Sequence, residues 1–160
     1  MNYTTYDIVF REIPGEVTLA INLSNCPFRC EGCHSPELQE DSGEPLTVER
    51  LVELIAQNPG ITCVCFMGGD RSLDELKKLS RAVFAHELKR AWYSGRSELP
   101  QEIFAYFEYI KVGPYIKERG PLDSETTNQR LYQIIPQDTG CYLAKDITAL
   151  LQKNNFRKTL

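Results

Sequence analysis

The chain has 160 residues, 42% of them apolar and 25% charged, with a formal net charge of −4 and a pI near 5.3. These values suit one globular domain and give no basis for a general nucleic-acid affinity. No apolar run approaches the roughly 20 residues of a membrane-spanning helix. The first ten residues, Asp7 among them, carry no basic-then-apolar export pattern, so a cytoplasmic protein with no membrane partner is expected.

Taken in chain order, Ile8 to Ile13 and Val17 to Leu23 read as the strands of an opening hairpin turned at Pro14-Gly15. The second strand runs into a cysteine-rich loop. Val48, Leu51, Val52 and Ile55 recur at helical spacing, predicting a helix over Leu46 to Asn58 that Pro59-Gly60 stops. Ile61 to Met67 is a continuous apolar run, as in strands buried on both faces of a parallel sheet. Ser72-Leu-Asp-Glu75 has the form of a capping box. It opens a helix through Leu88 with Leu73, Leu76, Leu79 and Val83 inward. A strand over Ala91 to Ser94, a short helix over Pro100 to Phe107 and a strand over Tyr109 to Val112 follow. Arg130 to Ile135 reads as a strand, Asp146 to Asn154 as a terminal helix, and Lys153 to Lys158 as a solvated basic tail.

This alternation predicts parallel strands with crossover helices. A complete (β/α)8 barrel takes at least about 200 residues. The expected fold is therefore α/β, a partial, open TIM-like (β/α) barrel in a single domain over residues 1–160. An unclosed sheet would leave the active face accessible to a large substrate.

Three cysteines fall within Cys26-Pro-Phe-Arg-Cys30-Glu-Gly-Cys33, the spacing C-x3-C-x2-C. Iron–sulfur clusters are normally held by four thiolates. Three leave one iron of a [4Fe–4S] cubane open to a reactant, the pattern of a radical S-adenosylmethionine (SAM) enzyme. Cys30-Glu-Gly-Cys33-His34 also matches a c-type haem attachment, which requires export. A zinc site of Cys26, Cys30, Cys33 and His34, in a non-enzymatic adaptor, is the other alternative. It would ask adjacent residues to reach one metal, whereas tetrahedral sites usually join ligand pairs from separate knuckles. Disulfides do not fit a reducing compartment. Cys63 and Cys65, two apart on one face of a strand, read as small buried hydrophobes, and Cys141 has no evident role.

The cysteine loop and Gly68-Gly69-Asp70 both follow strands, at the face where barrels place active sites. Glycines let backbone approach a ligand without a Cβ, and these carbonyls could accept from the ammonium of SAM. Lys111 interrupts an apolar strand, a costly placement unless its amine meets an anion or water. It either faces the carboxylate of SAM or snorkels to the surface.

Further segments carry a resemblance: Met67-Gly-Gly-Asp70, Trp92-Tyr-Ser-Gly95, Tyr109-Ile-Lys-Val-Gly-Pro-Tyr115 and Leu122-Asp-Ser-Glu-Thr-Thr-Asn-Gln-Arg130. With the cysteine motif, they make the chain resemble the activating proteins of anaerobic ribonucleotide reductase, small members of the radical SAM superfamily. It departs from the superfamily in carrying Asp70 for the usual glutamate and Gly32 where many members have an aromatic. The resemblance implies Cys26, Cys30 and Cys33 as ligands of a [4Fe–4S] cluster whose open iron chelates SAM. It places Phe28, Gly32, His34 (through its backbone), Gly68, Gly69, Asp70, Tyr93, Ser94 and Lys111 around the cofactors, with no catalytic side chain beyond the cluster ligands. Asn128, Gln129 and Arg130 would meet the partner's glycyl loop, or serve as a backbone hydrogen-bonding corner. The implied activity is reductive cleavage of SAM to a 5′-deoxyadenosyl radical that installs a glycyl radical on anaerobic ribonucleoside-triphosphate reductase. A flavodoxin-like protein would donate the electron. Activation of another glycyl radical enzyme, of the pyruvate formate-lyase type, is the alternative.

Overall fold

The structure, a computed structural model, describes residues 1–138 and 140–152; the basic stretch from Lys153 to Lys158, Asn154 within it, lies outside them. Eight strands form one sheet: β1 (Asn2–Val9), β2 (Thr18–Leu23), β3 (Glu44–Pro45), β4 (Cys63–Met67), β5 (Lys89–Tyr93), β6 (Tyr109–Val112), β7 (Arg130–Pro136) and β8 (Tyr142–Asp146). The order is β3-β1-β2-β4-β5-β6-β7-β8, so the sheet is open with β3 and β8 at its edges. Strands β2, β4, β5 and β6 pair in parallel. Helix α1 (Val48–Gln57), helix α2 (Leu73–Ala85) and a 3-10 helix over Gln101–Tyr106 lie between them in the chain.

Successive strand residues face opposite sides of a sheet, and the register turns that alternation into cross-sheet rows. Ile21, Phe66, Trp92 and Ile110 align in one row. They pack with Leu51 and Leu54 of α1 and Leu76, Leu79 and Val83 of α2. Phe107 closes this layer, edge-on to Phe66 with ring centroids 6.3 Å apart. The neighbouring row, Asn22, Met67, Tyr93, Lys111 and Leu131, belongs to the other face. Beneath it Cys63, Cys65, Ala91 and Tyr109 form a second buried layer with Ile13 and Ile147. Strand β4 is thus apolar on both faces, and burial pushes the thiols of Cys63 and Cys65 well up.

Several elements differ from the sequence reading. The first strand is Asn2–Val9, because Phe10 to Ile13 leave the sheet and Ile13 folds back to be fully buried against its second face. The capping box does not form. Ser72 precedes α2 without a side-chain cap, and Glu75 pairs with the Met1 ammonium instead. The side-chain cap belongs to α1, where Thr47 Oγ1 accepts from the Arg50 amide at 3.1 Å, a contact worth about 1 kcal/mol. Helix α2 ends at Ala85, before Glu87 turns left-handed at φ 57°. The segment after Pro100 is 3-10 rather than α-helical. Strands β7 and β8 run antiparallel to their neighbours, and β8 takes the residues leading into Asp146, where a helix was expected to open. Its residues are mostly exposed, so no apolar alternation announced it. A four-residue helix, α3 (Ala149–Gln152), follows within the described residues. Among those residues no helix is long and apolar enough to cross a membrane.

Candidate functional site

The cysteine loop leaves the carboxyl end of β2. Its base is closed by the Asn25 amide on the Glu40 carbonyl at 3.0 Å and the Cys26 amide on the Leu38 carbonyl at 2.8 Å. A turn brings the Cys33 amide to the Cys30 carbonyl at 3.2 Å, and Gly32 supplies the left-handed residue inside it at φ 71°. Cys26, Cys30 and Cys33 are free and half-buried. Burial raises the Cys26 thiol, a backbone hydrogen bond at Phe28 opposes the rise, and Asp70, Cys30 and Cys33 add to it by charge. The three sulfurs therefore share one electrostatic neighbourhood.

Thiolates are the usual ligands of iron–sulfur clusters, and each holds a different iron, so the three need not converge on a point. A zinc ion would need its donors about 2.0–2.3 Å from one centre. Among the described residues no three His, Cys, Asp or Glu side chains gather around such a single-ion point. Three free thiols on one loop are a donor set of the kind iron–sulfur clusters take.

Beside the loop lies a cavity of about 510 Å³. Its floor is the row Met67, Tyr93 and Lys111 at the carboxyl ends of β4, β5 and β6, and Cys33, His34 and Gln129 stand on its walls. Tyr93 donates its hydroxyl to the Glu12 carbonyl, and burial pushes its phenol well up. The His34 ring lies beside Tyr115 with centroids 4.8 Å apart. Arg11 and Asp123, 3.7 Å apart, flank the mouth.

Lys111 does not reach the surface; it is 9% exposed. Its amine donates to the Gly113 carbonyl at 2.7 Å and the Ser94 carbonyl at 3.3 Å, which leaves one of its three hydrogens without a protein acceptor among these contacts. Burial lowers its pKa to about 8, against the opposing pull of Cys30, Asp70, Cys26 and Cys33.

Gly68 and Gly69 follow Met67 with φ of 108° and 86°. A Cβ on Gly68 would stand 3.1 Å from the Leu23 carbonyl oxygen. The Gly68 carbonyl already accepts from Trp92 Nε1 at 2.7 Å, and the Gly69 carbonyl from the Ser72 amide at 3.1 Å. Each keeps a second lone pair. Asp70 is buried, with Oδ1 accepting from Ser94 Oγ and lying 3.3 Å from Arg96 Nε. Its Oδ2 has no aligned hydrogen-bond partner among the described residues. Burial raises the Asp70 carboxyl, with Ser94, Arg96 and the Gly95 amide opposing.

Of the residues expected around the cofactors, His34, Tyr93 and Lys111 line the cavity, together with Cys33 and Gln129. Gly69 lines a second, polar cavity of about 260 Å³ with Ser24, Arg71 and Glu75. Gly68, Asp70 and Ser94 tie the neighbouring loops together, and Phe28 lies against Gly95. Asn128 Nδ2 donates to the Pro114 carbonyl at 2.9 Å, and Arg130 donates to the carbonyls of Thr127 and Gln129. Sequence reasoning missed Met67, Arg96 and Tyr115 as site residues, and Gly95 as a contact of Phe28. Arg96 had a signal, a cation directly after Trp92-Tyr-Ser-Gly95. Met67 had none, because only the register sets it beside Tyr93.

A family model described as a 4Fe-4S single cluster domain matches residues 14–99. That span holds the three loop cysteines, Gly68 to Asp70, and Ser94 to Arg96. Neither the curated proteins nor the solved structures contain a match to the chain.

Proposed function

The chain belongs to the 4Fe-4S single cluster domain family, and from that premise we propose that it is a radical SAM activase installing a glycyl radical on anaerobic ribonucleoside-triphosphate reductase. The observation that carries this reading is the company of the three thiols. They lie on one loop, and the last of them, Cys33, lines with the buried Lys111 a cavity of about 510 Å³ at the carboxyl ends of parallel strands. That volume suits a small molecule. No fourth cysteine joins the loop: Cys63 and Cys65 are buried and Cys141 is exposed on the turn after β7.

Cys26, Cys30 and Cys33 would hold the cluster as thiolates. When bound, it supplies one electron to the sulfonium of SAM, giving methionine and a 5′-deoxyadenosyl radical that takes a hydrogen atom from the Cα of a partner glycine. The chain's own residues bind and orient. The remaining hydrogen of Lys111 suits the carboxylate of SAM, whereas Gly68 and Gly69 are not among the residues that line this cavity. Met67 and Tyr93 give the cavity an apolar floor, and the Tyr93 hydroxyl is committed to Glu12. The proposed chemistry requires neither a general acid nor a general base. On this reading the parallel strands β2, β4, β5 and β6 are part of a partial (β/α) barrel. The reductase's glycyl loop would approach past Arg11 and Asp123, and a flavodoxin-like protein would supply the electron.

The test is anaerobic reconstitution with iron and sulfide, followed by dithionite, SAM and the cognate reductase, read by EPR. A glycyl-radical doublet with one 5′-deoxyadenosine per radical is expected. Deoxyadenosine without the doublet would move the substrate to another glycyl radical enzyme. A colourless protein holding zinc would end the proposal.

A further inference from the structure

We infer that Gly95 is a positioning residue of the cysteine loop: the space left by its missing side chain is the seat on which the Phe28 ring fixes the stretch between Cys26 and Cys30. The inference rests on the cluster reading of Cys26, Cys30 and Cys33.

The chain has ten glycines, and nine of them take positive φ. Gly95 is the exception, so its backbone conformation is open to any residue. Space is what excludes a side chain there. A Cβ on Gly95 would lie 2.4 Å from Phe28 Cδ2, 2.8 Å from Cγ and 2.9 Å from Cε2. Cγ is the atom that joins the ring to its own Cβ, so turning the ring about that bond leaves the clash in place. Either Gly95 or Phe28 must move.

Gly95 is the fixed member. Ser94 donates its amide to the Lys111 carbonyl at 2.9 Å and its hydroxyl to Asp70. Arg96 donates its amide to Ser94 Oγ at 3.0 Å and accepts at its carbonyl from the Gly113 amide at 2.6 Å. Its Nη2 reaches the Asp70 carbonyl at 3.1 Å. These bonds tie the loop after β5 to those after β4 and β6. Phe28 has less to hold it. Among the described residues the amides of Phe28, Arg29 and Cys30 make no backbone–backbone hydrogen bond, so the ring contact substitutes for one. A side chain at position 95 would force the Phe28 ring to swing about its Cα–Cβ bond or its backbone to shift, and either removes the contact that fixes the stretch between Cys26 and Cys30.

Three variants test this: Gly95→Ala, Phe28→Ala and the double variant, each reconstituted with iron and sulfide. The readouts are iron and sulfide per chain, and the rate at which an iron chelator bleaches the cluster absorbance. The apo-protein melting temperature serves as a control. Gly95→Ala should melt like the wild type yet lose its cluster about tenfold faster. Phe28→Ala should also lose it faster, and the double variant should lose it no faster than Phe28→Ala, because one contact is lost in all three. Wild-type retention in Gly95→Ala, or additive effects in the double variant, would overturn the inference. If Gly95→Ala fails to fold, Phe28→Ala still decides: wild-type retention there overturns it, and recovery of folding in the double variant supports it. A wild-type chain that takes up no iron and sulfide would sink the cluster reading itself.

Discussion

At the amino ends of the parallel strands the buried carboxylate of Glu16 is fully partnered, whereas at the carboxyl ends that of Asp70 is not. Glu16 Oε2 accepts from Thr62 Oγ1 at 2.7 Å, and Oε1 accepts from Lys89 Nζ and from the Tyr109 hydroxyl at 3.2 Å. Burial alone would raise its pKa, but bonds from Lys89, Thr62 and Tyr109 together carry it below the usual carboxylate value. Asp70 has Ser94 on Oδ1, an Arg96 Nε 3.3 Å away that is misaligned for a hydrogen bond, the Gly95 amide nearby, and no aligned donor on Oδ2 among the described residues. Burial wins there and its pKa rises. An unpaired buried polar group costs about 1–3 kcal/mol. Among the described residues it is borne at the carboxyl ends by Asp70 Oδ2, Arg96 Nε and Asn128 Oδ1, and at the amino end by Thr18 Oγ1 of β2 alone. The Glu16 network stabilises the sheet, whereas the Asp70 pair leaves one carboxylate oxygen without a hydrogen-bond partner among the described residues.

The largest effect expected on the carboxyl end comes from Cys30→Ala. Iron content and radical formation should fall to background while the apo-protein melting temperature stays within a few degrees of the wild type. Persistence of activation at the wild-type level would break the division between the two ends. At the amino end, Glu16→Gln should cost about 2 kcal/mol of stability by urea denaturation and leave cluster loading unchanged. Asp70→Asn should shift stability by under about 1 kcal/mol, since a desolvated charge leaves with its partial pairing. In the reconstituted protein the same variant should weaken SAM binding about tenfold, as loss of a supporting contact does. Equal destabilisation by the two variants would erase the contrast.

The smallest effect lies in pH. The depressed Glu16 carboxyl contributes stability that is present above the ordinary carboxylate range and lost as pH falls through and below it. Asp70 has the opposite sign: its raised value favours the folded state as pH falls through that value, because the folded form takes up the proton first. Urea midpoints measured between neutral and acid pH should therefore show a flatter acid limb in Glu16→Gln and a steeper one in Asp70→Asn. Parallel limbs in all three proteins would contradict these assignments.

What the sequence determined alone was whatever is written within a few residues. The spacing of Cys26, Cys30 and Cys33 declared the thiol loop. The helical recurrence of Leu51 and Ile55, and of Leu76, Leu79 and Val83, declared α1 and α2. The unbroken run ending at Met67 declared a strand apolar on both faces. Tertiary structure decided what depends on register and on chain segments far apart. It set Met67, Tyr93 and Lys111 in one row as the cavity floor, brought Arg96 to Asp70, and laid Phe28 on Gly95. It also added β8, whose exposed residues carry no apolar pattern and which exists because it pairs with β7. Periodicity records which face of an element is buried; it holds no information about which distant loop arrives there, because that is fixed by how the strands pair and where their loops end.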